Sequence, residues 1–268
     1  MTTNQVPDHH YPRDPHSSAP RDPSFWTAAH GRAVDPGVLD RALQKAAALG
    51  PRGVFVFDLD STLLDNKPRQ ARIVREAGQH LGEPRLTSCQ PDHFTDWSVE
   101  KPLRCVGIQD HELDALVPKV RRYWKQTFFT SEYCVDDIAV AGAVDFVREV
   151  LSLGTRIAYC TGRHEPMRQG TVACLAREGF PVPDAQQVHL LMKPTLEEHD
   201  DDWKVRARSL IAQLGTVLAA FDNEPTHINS YFVHFGDAQC VHLLTDDSSR
   251  GIAPHPDIPS VRDFRRAR

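Results

Sequence analysis

Two aspartates follow a short apolar run near the start of the chain. The run 54–57 (VFVF) has the composition of a strand buried on both faces, and Asp58 and Asp60 come directly after it. Carboxylates at this spacing can serve as a nucleophile with an acid–base partner, or can simply close a turn. A calcium-binding EF-hand loop is excluded, because its twelfth position requires glutamate and is occupied by Arg69. From this pair alone, a turn and a catalytic site are equally good interpretations.

Two later apolar runs are also followed by polar residues. Thr161-Gly162-Arg163 comes after the run 156–160, and Asp222-Asn223 comes after the run 217–221. A hydroxyl and an unobstructed glycine N–H ahead of a helix suit a phosphate, and a further carboxylate suits Mg²⁺. Each group could also be a helix cap or a turn. Because the carboxyl ends of parallel strands meet at one sheet edge, we expect all three groups to lie together there.

The elements that must position these groups alternate along the chain. Short apolar runs rich in β-forming residues predict strands at 54–57, 156–160, 188–192, 217–221 and 240–244. Amphipathic patterns predict helices at 36–49, 142–153, 166–178, 203–214 and 225–235. Strand alternating with helix predicts an α/β fold with a doubly wound, mainly parallel sheet.

One interval lacks buried strands and predicts a separate helical module. Helical patterns at 68–80 and 110–127 are separated by turn residues such as Gly82, Pro84, Pro91 and Pro102. The N-terminal residues are polar and interrupted by prolines, and the C-terminal residues are basic, so we expect both ends to be solvated. The predicted organisation is a flexible arm at 1–35, a core at 36–65 and 136–248, a helical module at 66–135 and a tail at 249–268.

Composition limits the function classes. The 268 residues are 40% hydrophobic and 25% charged, as in globular proteins, with a net charge of −5 that argues against a nucleic-acid partner. No apolar run approaches the length of a transmembrane helix, and the N-terminus lacks a secretory pattern, so we expect a cytoplasmic protein without membrane contact. The six cysteines include no C-x-x-C pair and predict neither a zinc site nor disulfides. The oligomeric state is left open.

In combination, these motifs resemble the haloacid dehalogenase superfamily. Residues 57–62 (FDLDST) look like its first motif and 159–163 (YCTGR) like its second. A lysine followed by 219–223 (AAFDN) looks like its third and fourth. The motifs occur in the family's order, and the predicted module at 66–135 stands where that family inserts a helical cap. The resemblance covers residues 53 to about 245 and implies a Rossmann-like core.

The resemblance implies phosphoryl chemistry. Asp58 would attack phosphorus to form an aspartyl-phosphate, and Asp60 would protonate the leaving group and then activate water. Mg²⁺ would be held by Asp58, the Asp60 carbonyl and Asp222, with Asn223 at the position where many members have a second acid. That substitution implies weaker metal affinity. The second aspartate, Asp60, implies phosphate-ester hydrolysis or phosphoryl transfer rather than dehalogenation.

Further residues are implied to bind phosphate. Thr161 and the Gly162 N–H would bind the phosphoryl oxygens, and a lysine would neutralise charge as the transition state forms. Lys204 is favoured for that role, because the family's lysine begins the helix before the last motif, but Lys193 is an alternative. Arg163 would contact a second phosphate or tie its loop by a salt bridge.

The predicted function is hydrolysis of a small phosphate monoester by a Mg²⁺-dependent phosphatase. Alternatives are a phosphomutase or phosphotransferase, a polynucleotide 3′-phosphatase, and a non-catalytic binding module. The chain has no P-loop kinase motif, and its acidic charge argues against DNA. Intact Asp58 and Asp60 argue against the binding module.

Overall fold

The computed structural model describes residues 34–248 and 250–266. Most of the arm predicted at 1–35 therefore lies outside the described residues. Its last two positions are ordered against the core: Val34 forms a β-bridge with Ser260, and the Asp35 N–H donates to the Ser260 carbonyl at 2.9 Å.

A six-stranded sheet forms the centre of the core. Its spatial order is β5–β4–β1–β6–β7–β8, and every strand pair is parallel. The strands are β1 (Gly53–Phe57), β4 (Arg156–His164), β5 (Val188–Lys193), β6 (Thr216–Asp222), β7 (Gln239–Leu243) and β8 (Ser260–Val261). The chain passes from β1 to β4 on one side and then to β6 on the other, which makes the end of β1 the topological switch point where such folds bind ligands.

Alternation along β1 builds two apolar layers. Phe55 and Phe57 lie in one cluster and Val54 and Val56 in the other, as the two-residue period of a strand requires. The first layer is covered by α1 (Val38–Leu49), α5 (Ala143–Ser152) and α6 (Arg168–Glu178), and the second by α7 (Asp200–Leu214) and α8 (Pro225–His234). The structure thus confirms the predicted doubly wound α/β fold.

A helical module is inserted after β1. It contains α2 (Lys67–Leu81), α3 (Glu100–Cys105) and α4 (Asp110–Phe128), joined by 3₁₀ turns. These helices share an apolar cluster of their own. The module leaves and rejoins the core through a two-stranded antiparallel ladder of β2 (Leu64–Asp65) and β3 (Ile138–Ala139). In the described part of the chain, no helix has the length and apolarity needed to cross a membrane.

The C-terminal segment corrects the prediction of a solvated tail at 249–268. Ser260–Val261 adds β8 to the sheet edge, and Phe264 is buried against the rings of Phe57, Phe146 and Phe221. A two-residue strand is too short to leave an alternating pattern in the sequence. The arginines that suggested a tail are partly paired, since Arg266 contacts both Asp40 and Glu149.

Candidate active site

Lys204 connects two aspartates at the carboxyl edge of the sheet. Its Nζ donates to Asp58 Oδ1 at 2.6 Å, to Asp222 Oδ2 at 3.0 Å and to the Cys160 carbonyl at 2.7 Å. Asp58 follows β1 and Asp222 ends β6, the strand beside it, while Lys204 is the fifth residue of α7. Parallel pairing therefore brings together three residues that are far apart in sequence.

Burial gives these three groups strong mutual electrostatics. Burial raises the pKa of Asp58 to about 7; the Asp222 charge adds to the shift, and Lys204 opposes it. For Asp222, burial is outweighed by the charges of Lys204 and His227, which lower its pKa to about 2. Burial also opposes the charge of Lys204, but the two carboxylates outweigh it and raise the lysine's pKa. The site holds its lysine charged and leaves Asp58 short of positive partners.

His227 lies behind Asp222 in a second ion-pair group. Its Nε2 is 2.9 Å from Asp201 Oδ1 and its Nδ1 is 3.6 Å from Asp222 Oδ1. Burial alone would lower the pKa of His227, but Asp222 and the hydrogen bond with Asp201 raise it to about 10. Asp201 also pairs with Arg250 at 2.7 Å. Asp201 therefore balances the histidine charge next to the site.

The Asp58–Asp222 pair is chemically suited to a hard divalent cation. Both ligand groups are carboxylates, and both lie within 3.0 Å of one ammonium nitrogen at the end of adjacent strands. Burial raises the pKa of Asp58, and a cation bound beside it would favour its charged form. Among the described residues, no three His, Cys, Asp or Glu side chains form a metal-binding group. The residues thus fit Mg²⁺, which commonly uses one or two carboxylates and keeps several waters, better than a metal enclosed by side chains.

Thr161 and Gly162 lie at the end of β4, beside β1. The Thr161 carbonyl accepts from the Trp203 indole at 2.9 Å, and its Oγ1 accepts from the Arg163 N–H at 3.1 Å. A Cβ on Gly162 would approach Asp200 Oδ2 to 2.8 Å, so a side chain at this position would require the exposed Asp200 carboxylate to move. The Trp203 hydrogen bond holds the backbone of this loop against the start of α7.

A second charged group lies between the core and the helical module. We call Asp60, Arg69, Arg163 and Asp137 the acid–arginine cluster. Arg69 Nη2 and Arg163 Nη2 both donate to Asp60 Oδ1 at 2.7 Å, and Arg163 Nη2 also contacts Asp137 Oδ2 at 2.7 Å. Arg69 Nε lies 2.9 Å from Asp137 Oδ1. Two buried guanidinium groups are thereby matched by two carboxylates.

The acid–arginine cluster moves the pKa of Asp60 opposite to that of Asp58. Burial would raise the pKa of Asp60, but the charges of Arg163 and Arg69 outweigh it and hold the pKa below its usual range. For Asp137, burial dominates over the same two arginines and raises the pKa. Asp60 is therefore held as a carboxylate in this arrangement.

The contacts show how two of the predicted residues, Arg163 and Asn223, are held in place. Of the two roles open for Arg163, the contacts show the salt bridge: the side chain is 2% exposed and turned toward Asp60 and Asp137. Asn223 Oδ1 accepts from the Thr62 hydroxyl at 3.0 Å and its Nδ2 donates to the Asp246 carbonyl, and its role as a metal ligand stays a prediction.

The alternative lysine lies in a separate contact. Lys193 Nζ pairs with Asp200 Oδ1 at 2.7 Å and donates to the Leu196 carbonyl at 3.2 Å, whereas Lys204 contacts both aspartates of the site. Sequence reasoning missed Arg69, Asp137 and His227 as members of charged groups. No motif identifies these three residues. The one sign in the sequence was that Arg69 is a charged residue on the apolar face of a predicted helix.

When the chain is compared with known proteins, the similarities found are to solved structures. No family model and no curated protein matches the chain. A class C acid phosphatase from Bacillus anthracis with tungstate bound is 15% identical, with a TM-score of 0.40 over 89% of this chain and 83% of that one. A haloacid dehalogenase-like family hydrolase from Streptococcus pneumoniae is 14% identical, with a TM-score of 0.43 over 76% and 88%. Protein tyrosine kinase A from Mycobacterium tuberculosis is 18% identical, with a TM-score of 0.45 over 77% and 93%. At these levels of similarity, function has to be argued from the side chains of the site.

Proposed function

We propose that this protein is a Mg²⁺-dependent phosphatase of the haloacid dehalogenase type, acting on a small phosphate monoester. The observation that carries the proposal is the buried Lys204 ammonium placed between Asp58 and Asp222, beside the Thr161-Gly162 loop. A carboxylate nucleophile needs its repulsion from an anionic phosphate offset, and this group offers one fixed positive charge together with carboxylates suited to a second.

The site residues divide the reaction into two halves. Asp58 attacks phosphorus while the ester P–O bond breaks, and Thr161 and the Gly162 N–H bind the phosphoryl oxygens. Because Asp60 is a carboxylate in this arrangement, it must take up a proton when substrate binds before it can give one to the leaving oxygen; in the second half it accepts a proton from the water that hydrolyses the aspartyl-phosphate. Lys204 holds the Asp58 carboxylate in place and offsets charge in both halves. Mg²⁺, held by Asp58, Asp222 and the Asp60 carbonyl, would supply further charge neutralisation at the phosphoryl group.

The helical module supports a small substrate. Its first helix, α2, begins seven residues after Asp60 and contributes Arg69 to the contacts of that aspartate, so we expect the module to cover the edge of the sheet where the reaction would occur. A cover in this place limits access by folded macromolecules and keeps water from the reacting groups.

The decisive experiment is hydrolysis of p-nitrophenyl phosphate by the wild type and Asp58→Asn, with Mg²⁺ and with EDTA. We expect Mg²⁺-dependent release of p-nitrophenol from the wild type and a loss of at least about 10³-fold in the variant, because the nucleophile is gone. Asp40→Asn is a matched control, since Asp40 lies on α1 away from the site. If neither p-nitrophenyl phosphate nor a panel of phosphorylated metabolites is hydrolysed by folded wild type, a binding module replaces the phosphatase.

A further inference from the structure

The two oxygens of the Asp60 carboxylate have unequal contacts. Oδ1 accepts from Arg69 Nη2 and Arg163 Nη2 at 2.7 Å each, and from Asn66 Nδ2 at 3.2 Å. Oδ2 accepts from Arg163 Nε at 2.9 Å, its one hydrogen bond among the described residues. The Asp60 side chain is 20% exposed. Oδ1 therefore anchors the group, and Oδ2 is the oxygen with a lone pair left to exchange a proton.

Arg69 brings part of this anchor from the helical module. It lies in the first turn of α2 and is fully buried. Its guanidinium group lies 3.9 Å above the ring of Phe128, at the end of α4, and its Nη1 donates to the Phe128 carbonyl at 3.2 Å. Its Nε contacts Asp137, where the chain returns to the core. Arg69 is thus fixed by both ends of the module before it reaches Asp60.

We propose that Arg69 is a positioning residue for Asp60, through which the helical module sets the orientation of the acid–base carboxylate. The planar guanidinium group fixes direction as well as charge, because its N–H groups form a rigid fork. Arg163 contacts both oxygens from β4 and Arg69 holds Oδ1 from the module, so a change in the packing of α2 would alter the direction of Oδ2. The inference rests on the proposed function, since it concerns the proton transfers assigned to Asp60.

A leaving-group series separates positioning from general structural support. Dinitrophenolate departs from phosphorus without needing a proton, whereas an alkoxide needs one from Asp60. We expect Arg69→Met to lower kcat on alkyl phosphates by about 10²-fold, the cost of a misplaced catalytic group, and to change kcat on 2,4-dinitrophenyl phosphate far less. Arg69→Lys should recover part of the alkyl rate, because it returns the charge without the fork.

Arg72→Met is the matched control. Arg72 lies one turn along α2, pairs with Glu76 and Asp136, and stacks on Tyr133 without contacting Asp60. We expect it to leave the ratio of the two rates unchanged. In an Asp60→Asn background, Arg69→Met should have no further effect on that ratio, because the group it positions is already gone. The double variant removes one negative and one positive charge from the cluster. Because the charges stay balanced, it is less prone to misfold than either single variant.

The outcomes separate the two proposals. If Arg69→Met slows both substrates equally, accelerates the alkyl esters, or alters the ratio again in the Asp60→Asn background, Arg69 does not position Asp60, while the phosphatase assignment stands. If the wild type hydrolyses neither ester in the presence of Mg²⁺, the proposed function fails and the role of Arg69 fails with it.

Discussion

Asp58 and Asp60 are two residues apart, yet they belong to regions with different charge counts. In the region around Lys204, the carboxylates of Asp58 and Asp222 share one ammonium, and the nearby His227 is matched by Asp201. In the acid–arginine cluster, two carboxylates are matched by two guanidinium groups. Burial raises the pKa of Asp58 to about 7, whereas at Asp60 the charges of Arg163 and Arg69 outweigh burial and hold the pKa below its usual range.

The difference between the two aspartates shows that the effect of burial on the pKa of a carboxylate depends on the charged groups around it. A buried carboxylate with too few cations has a raised pKa and attracts further positive charge, which is the condition for binding a metal ion. Asp60, whose carboxylate contacts two guanidinium groups, is held as an anion, although burial raises the pKa of Asp137 in the same cluster. Neighbouring groups whose pKa values are driven apart are a recurrent feature of acid–base catalysis. Here the first region suits reaction with phosphorus and the second suits orientation.

The largest effect should come from removing one carboxylate of the balanced region. Asp137→Asn leaves Arg69 and Arg163 with Asp60 as their remaining carboxylate in the cluster, and a buried, unmatched charge costs about 3–5 kcal/mol. Urea unfolding measures the loss. The neighbouring Asp136→Asn is the control: Asp136 is half-buried and pairs with Arg72, so we expect a change within about 1 kcal/mol. Equal losses in both variants would show that the cluster is not specially balanced.

A somewhat smaller effect is expected on the rate when the unbalanced region loses its lysine. Lys204→Met should lower kcat by about 10²–10³-fold, equivalent to about 2.7–4 kcal/mol, because a fixed charge aimed at the reacting group is lost. Lys193→Met is matched for residue type and burial but pairs with Asp200, and its kcat should stay within the wild-type order of magnitude. Steady-state kinetics on p-nitrophenyl phosphate measure kcat for both variants. A similar loss of kcat in the two variants would show that Lys204 has no special role.

The effect that is smallest within any one pH unit concerns the histidine behind Asp222. His227 has a folded-state pKa of about 10 against about 6.5 in the unfolded chain, so its charge stabilises the fold fully below about pH 6.5 and loses that effect as pH rises toward 10. The free energy of unfolding of His227→Gln should therefore approach that of the wild type as pH rises, by at most about 1.4 kcal/mol per pH unit. Urea unfolding in EDTA from pH 6 to 10 tests this, and a constant difference would contradict it.

The sheet and its loops could be predicted from local patterns. The apolar run at 54–57, its counterparts later in the chain and the helices between them carry periodicities that a sequence displays directly. The rule that parallel strands end at one edge then places Asp58, Thr161 and Asp222 near one another, and the structure has them at the ends of adjacent strands.

Contacts formed by distant side chains could not be read in the same way. Arg69 entered the sequence argument only as a residue that excludes a calcium loop, and Asp137 not at all, because pairing of charges across 68 residues has no periodic signal. The strand at Ser260–Val261 escaped notice for another reason: two residues hold no repeat. Asn223 was identified from its position in a motif, but its hydrogen bonds to Thr62 and Asp246 depend on tertiary packing.

The ladder between β2 and β3 has a consequence for how this protein could change over time. Leu64 pairs with Ala139 and Asp65 with Ile138, so the chain leaves the core and re-enters it at neighbouring backbone positions. Antiparallel partners stand about 5 Å apart, a gap that a short turn can bridge. The length and helices of the insert can therefore differ between related proteins without changing the positions of the strands that carry Asp58 and Asp222. Selection can alter the cover and retain the chemistry, provided that a new cover again supplies a group able to orient Asp60.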